Sequence, residues 1–312
     1  MRRFSALAHA SAMEAFSEPL SCVLFFVAAL TVHLAPVFHY HQFGEPSRLP
    51  LECGLSALFV FGLVFASASA FRTIGRELSS GTASVALVRP LSRSLFFSAK
   101  LAGVFFALLL FSVSIGFATA LSCKTSAIGA ALAMHDGVTR LWPIGIRYGL
   151  CLTLAAFAFA AFLNRFFGIR FCFSSCIAVS LVQPLAYFLA MSVKPDLHHD
   201  IGFESSSILA PFVSMLSCCS AFIAMTGALS VRLKPAAAAF AVGISVVMSF
   251  LYVPLAEKLP VLAGIAIAVL PNTGTFWMPP AENAVAVAAS GFSIAVFWMA
   301  LGSLFVRGKE IS

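Results

Sequence analysis

The chain has 312 residues, of which 61% are hydrophobic and only 10% charged, with 33 Phe and a formal net charge of +7. Soluble domains carry about 25% charged residues, so this composition excludes a water-soluble globular enzyme and points to an integral membrane protein. The positive charge does not indicate nucleic acid: basic residues sit in short clusters at the ends of apolar runs, and no basic face or binding motif is present.

At the start of the chain, Arg2 and Arg3 form a basic region, and Ala8-His9-Ala10 has the small-x-small look of a cleavage site. The first long apolar run comes after that site instead of preceding it, so the segment is expected to be retained. Residues 1–19 are read as an amphipathic entry segment with an apolar stripe of Phe4, Leu7, Ala8, Ala12, Ala15 and Phe16.

A bilayer core requires about 20 apolar residues per helix. Eight segments qualify: Leu20–Phe38, Cys53–Phe71, Leu95–Ser122, Pro143–Phe162, Phe171–Val193, Ile208–Val231, Pro235–Leu255 and Ala284–Val306. A further run, Leu259–Leu270, has twelve residues between prolines, and 259–283 is expected to be re-entrant or interfacial. With the N-terminus inside, only Arg48, Lys124, Arg140, Arg147, Lys194 and Lys258 fall outside, and the other thirteen Lys and Arg are cytoplasmic. The positive-inside rule favours that orientation. The expected fold is therefore an all-α integral membrane protein, a single domain over 1–312. It has about eight transmembrane helices, both termini cytoplasmic and amphipathic interface helices.

The stretch Phe71–Lys100 holds five of the nineteen Lys and Arg residues between two apolar segments. Wound at 3.6 residues per turn, Ile74, Leu78, Gly81, Val85 and Val88 share one face, with Arg76, Ser79 and Ala83 opposite. A short amphipathic helix over 73–90, bounded by Pro90, is expected at the cytoplasmic surface, where a soluble partner can push on it. That arrangement suits a machine part better than an enzyme.

Charge inside the spans is sparse, and Glu14, Glu18 and Glu77 are assigned to the cytoplasmic side. Arg147, one turn into the fourth span, is expected to snorkel to the surface; its functional alternative is contact with an anionic substrate group. His39, His41, His198, His199 and Asp200 lie in outer loops and have the chemistry of zinc or copper ligands. Their spacing matches no standard site, which favours solvated loop histidines. His33 is expected to pack near the outer boundary. Six of the eight cysteines lie within apolar segments as small apolar residues. Cys53 and Cys123 fall near the outer ends of two spans, where pairing is left open. No GxxxxGK[ST] or HExxH motif is present, and Gly291-Phe292-Ser293 lacks the second Gly of a nucleophile elbow. Gly145 and Gly149 form a GxxxG that permits close helix approach. No cofactor is implied.

The run ELSSGT from Glu77 to Thr82, then LVRPLSR from Leu87 to Arg93 and finally Lys100, resembles the pattern of ABC-2 type transporter permeases. In that family an acidic residue, Gly-Thr and an Arg-Pro-x-Ser-Arg element link the second and third spans. Met13 to Phe16 with Pro19 is similar to the family's entry segment, and Phe305 to Glu310 is similar to its basic ending. Leu270 to Asn272 with Phe276 and Trp277 resembles a segment before the last span in one bacterial subgroup. Eight spans exceed the number usual in the family.

The resemblance implies a bacterial inner-membrane permease of an ATP-driven exporter. Its partners would be a separate ABC ATPase subunit, a second permease copy or homologue, and membrane lipids. It implies a coupling role for Arg76, Glu77, Gly81, Thr82, Arg89, Pro90 and Arg93. Arg76 and Glu77 would contact the ATPase, Arg89 and Arg93 would pair with lipid phosphates or the partner's acids, and Gly81 would allow close helix approach. The alternatives are a non-transporting structural subunit of a membrane complex and a membrane metal-handling protein using the outer histidines.

Overall fold

The computed structural model describes residues 2–37, 47–77, 92–136, 145–193, 206–251 and 269–308. The described regular structure is helical throughout, with no strand among those residues. Helix α1 (Arg2–Phe16) is followed by a break at Ser17 and Glu18. Helix α2 (Pro19–Leu34) starts with Pro at its first position, where the missing N–H costs no hydrogen bond. Helix α3 (Arg48–Arg76) is interrupted by π-helical turns at Leu58–Gly62 and Phe71–Arg76. Helix α4 (Arg93–Asp136) has 44 residues and is about 66 Å long at 1.5 Å per residue.

A π-helical turn at Gly145–Cys151 leads into α5 (Leu152–Phe167), which Gly168 ends in the left-handed region at φ 68°. The remaining elements are α6 (Phe171–Val193), α7 (Ser206–Arg232), α8 (Pro235–Phe250), the short α9 (Thr273–Trp277) and α10 (Ala284–Arg307).

Seven helical stretches among the described residues are long and apolar enough to cross a membrane: Pro19–Val37, Arg48–Arg76, Arg93–Ala127, Tyr148–Phe167, Phe171–Ser192, Ile208–Arg232 and Ala284–Arg307. They coincide with seven of the eight expected segments. The other, Pro235–Leu255, is helical over the sixteen residues Pro235–Phe250, about 24 Å, short of a roughly 30 Å hydrocarbon core. Residues 252–268 lie outside the described ones.

The third expected span ends at Ser122, but its helix runs on to Asp136 because no proline interrupts residues 123–136. Lys124, expected in a loop, is consequently a buried helical residue. At the second span, the helix begins earlier, at Arg48, where the guanidinium bonds Glu52 Oε1 at 2.9 Å. It also ends later, at Arg76. The expected interface helix over 73–90 is described as far as Glu77, and there it is the end of α3, with Thr73, Ile74 and Gly75 all buried.

The chain divides into two compact units. Unit 1 comprises 1–15, 63–108 and 213–312. Its interior centres on Phe97, fully buried on α4. Two glycines receive that ring: a Cβ at Gly302 of α10 would run into it, and one at Gly227 of α7 would stand 3.6 Å from it. Helix α7 is buried along most of Ser214–Val231, and α10 leaves more of its surface exposed. The described part of 259–283 contains α9, which packs against both α8 and α10, and closes with a 3-10 turn at Ala281–Asn283. Asn272 caps it by accepting from Gly274 N at 3.2 Å, and Trp298 Nε1 donates to the Val269 carbonyl at 2.8 Å.

Unit 2 comprises 16–62 and 109–212. Helix α6 packs against both α2 and α5 there. Aromatic edges fill the contacts, Phe25 on Phe111 with centroids 4.8 Å apart and Phe26 on Phe157 at 5.1 Å. Short polar ties join the helices: Ser122 Oγ donates to the Val32 carbonyl at 3.0 Å and Ser175 Oγ to Cys22 Sγ at 3.1 Å. All eight cysteines are free thiols, Cys53 and Cys123 included.

Candidate functional site

In unit 1, three elements converge on one buried cation. Lys100, in the second turn of α4, is 5% exposed. Its Nζ donates to Glu77 Oε1 at 2.7 Å and lies 3.7 Å from Glu14 Oε2, with the Phe96 ring 5.9 Å from it. Glu77 comes from the end of α3 and Glu14 from α1. A lysine so deeply covered is tolerable because two carboxylates, both still partly in contact with water, compensate its lost hydration.

Local sequence explains how α1 reaches this point. Gly103, almost one turn beyond Lys100, has no side chain, and a Cβ there would collide with the Ala8 carbonyl and stand 2.6 Å from Ser11 Cβ. The two helices therefore meet backbone to backbone. Ser11 Oγ donates to the Lys100 carbonyl at 2.8 Å. On the α3 side, the π-helical turn Phe71–Arg76 carries an extra residue per turn and so sets where Glu77 falls. Arg72 and Arg76 are exposed, and the half-buried Glu77 meets Lys100.

A second tie in unit 1 fixes the start of α4. Ser92 Oγ accepts from Leu95 N at 3.3 Å as a cap. Arg93 Nη1 donates to the Arg307 carbonyl at 3.4 Å, and Arg307 Nε donates to Ser94 Oγ at 2.7 Å. The last turn of α10 is thereby joined to the first turn of α4. Of the residues expected to couple, Glu77 and Arg93 are thus held inside unit 1, and Arg76 lies exposed on the last turn of α3. Gly81, Thr82, Arg89 and Pro90 lie outside the described residues.

In unit 2, His33, Gln183 and Thr153 form a buried polar chain. His33 Nε2 lies 2.8 Å from Gln183 Oε1, Gln183 Nε2 donates to Thr153 Oγ1 at 2.8 Å, and Thr153 Oγ1 donates to the Gly149 carbonyl at 2.7 Å. Because the amide oxygen only accepts, the proton sits on His33 Nε2. The other ring nitrogen, Nδ1, has no hydrogen-bond partner. Gly149 accounts for the fit, since a Cβ there would strike the imidazole. The second glycine of the GxxxG thus seats a side chain within the subunit.

His39, His41, His198, His199 and Asp200 lie outside the described residues. Among those described, no group of three or more His, Cys, Asp or Glu is placed to hold a metal ion. Arg147 falls in the π-helical turn that leads into α5. The reading of the sequence missed Lys100 as a site and did not single out Gln183. The available signal for Gln183 was a lone amide beside Pro184 in an apolar run. The chain matches no protein-family model, no curated protein and no solved structure.

Proposed function

We propose that the chain is the membrane-spanning subunit of an ABC-2 type ATP-driven transporter, an exporter of the bacterial inner membrane. A separate ATPase would engage the segment between Glu77 and Arg93 from the cytoplasmic side, and the complex would include a second permease copy or homologue. One observation carries the reading. The two ends of that segment are tied into the same unit, Glu77 through Lys100 to α4 and α1, and Arg93 to the last turn of α10. A push delivered to the segment would therefore reach four helices together, as a coupling element requires. The absence of a P-loop from the sequence is consistent with hydrolysis residing in a partner.

The test is affinity purification of the full chain from native membranes in mild detergent, followed by mass spectrometry and an ATPase assay. A stoichiometric P-loop ATPase is expected, and scrambling residues 78–91 should release it while the permease stays monodisperse. Recovery of the chain with no ATPase would refute the proposal.

A further inference from the structure

The far ends of α7 and α10 carry a second basic feature, independent of whether the chain is a permease. Two apolar windows, Ile208–Arg232 and Ala284–Arg307, each terminate on an arginine. Arg232 stacks on the Phe305 ring, its guanidinium carbon 5.5 Å from the centroid, and a Cβ at Gly308 would stand 3.1 Å from its Nη2. Arg93 reaches the same turn by donating to the Arg307 carbonyl at 3.4 Å, and Arg307 Nε is fixed on Ser94 Oγ at 2.7 Å. Three guanidinium groups thus gather around residues 305–308, where two apolar helices end.

Among the described residues, neither Arg232 nor Arg307 is paired with a carboxylate. Both side chains are exposed, so these two guanidinium groups face outward, with no carboxylate partner among the described residues. Beside them runs an apolar strip of α10. Val296, Ala300 and Leu304 recur every fourth residue on the exposed face, with Val296 and Leu304 among the most exposed large apolar side chains. A ligand matching both features has an anionic head and a hydrocarbon tail.

We propose that Arg93, Arg232 and Arg307 form a binding site for the headgroup phosphate of an anionic phospholipid, with an acyl chain along Val296, Ala300 and Leu304. The planar guanidinium suits phosphate because it offers parallel N–H donors to two oxygens. Phe305 restrains Arg232 and Ser94 restrains Arg307, which lowers the ordering cost of binding. Basic clusters at the ends of membrane helices are places where anionic headgroups are held.

The experiment is native mass spectrometry of the detergent-purified full chain titrated with phosphatidylglycerol or phosphatidylcholine. Phosphatidylglycerol should bind more tightly. R232Q should weaken it roughly fivefold and R232Q/R307Q about 25-fold, whereas R165Q, an equal change in net charge at the end of α5, should leave it unchanged. R232Q serves even if the double variant does not fold, because among the described residues Arg232 contacts the Phe305 ring and, unlike Arg307, ties no helix end to α4. Equal binding of the two lipids, or equal weakening by R165Q and R232Q, would overturn the site. So would displacement of phosphatidylglycerol by millimolar inorganic phosphate, which would assign the cluster to a free anion. Phosphatidylglycerol binding that survives R232Q/R307Q while a soluble protein partner is lost would assign the surface to that protein instead.

Discussion

The geometry around Lys100 predicts an inverted order of mutational cost. At 2.7 Å and an effective dielectric constant of about 20, the gross attraction of Lys100 for Glu77 is about 6 kcal/mol, and at 3.7 Å that for Glu14 is about 4.5 kcal/mol. Desolvation cancels most of both, and the remainder depends on which partner is left behind. The lysine side chain is 6% exposed, against 28% for Glu77 and 39% for Glu14. E77Q therefore strands a buried cation with one distant, better-solvated acid and should cost about 3 kcal/mol.

K100M removes the buried charge and keeps the alkyl packing, leaving two acids that can draw on water. It should cost only about 1–2 kcal/mol. E14Q, on the exposed and longer arm, should cost under about 1 kcal/mol. In the double variant E77Q/K100M, the new amide abandons no buried cation, so the cycle should report a coupling of about 2 kcal/mol. Equilibrium unfolding of the purified chain in mixed micelles reads each value. K100M costing more than E77Q, or a coupling below about 0.5 kcal/mol, would show that Lys100 is not held by this pair.

Three further perturbations test the other contacts. Q183L should leave the His33 Nε2–H and the Thr153 hydroxyl without their amide and cost about 1–3 kcal/mol, while Q183L/H33F, which removes both ends of the bond, should recover most of it. A double variant less stable than the sum of its parts would refute the pairing. G302A drives a methyl into the buried Phe97 ring and to 3.1 Å from Ala228 Cα, and should destabilise by about 1–3 kcal/mol. The same change at Gly243, which has nothing within 4 Å of a built Cβ, should be neutral or stabilising by up to about 1 kcal/mol; unfolding midpoints of the two variants separate these outcomes. G103L should lift α1 off α4, so that the thiol of S11C, at a buried position, reacts faster with a hydrophilic maleimide; unchanged labelling would show that α1 is held elsewhere.

The spans were legible because a membrane helix announces itself by composition over about 20 residues, and seven of the eight expected segments are helices of that kind. Helix ends were not legible where polarity and helicity part company. The extension of α4 through Lys124 to Asp136 is an example: hydropathy falls there while the backbone continues to coil. Of the expected stripe through Ile74, the described residues reach only its start, where Ile74 is buried and Arg76 exposed; the π-helical turn at Phe71–Arg76, which also buries Thr73 and Gly75, leaves no signature in apolar spacing.

The sites were hidden by sequence distance. Lys100 is 23 positions from Glu77, and Ser11 is 89 from Lys100. His33 and Gln183 are 150 apart. No local spacing rule links such residues, so Lys100 read as a cytoplasmic charge closing the run from Glu77, and Gly149 as a helix-packing glycine.

The two buried polar assemblies differ because their neighbours differ. Lys100 sits within reach of acids that keep contact with water, so a full charge can persist under cover of the protein at the end of α3. Among the described residues, His33 is joined to neutral partners, an amide and a hydroxyl that pass the hydrogen bond to a backbone carbonyl. The first assembly ties helices through charge and yields when one partner is neutralised; the second ties them through fixed donor and acceptor roles and yields when one group loses its partner. On the proposed reading, the charged tie belongs beside the segment that an ATPase would push, because the partly hydrated glutamates can exchange the lysine for water as α1 and α3 shift. The neutral chain, its three side chains buried, is better suited to keep α2, α5 and α6 in one arrangement.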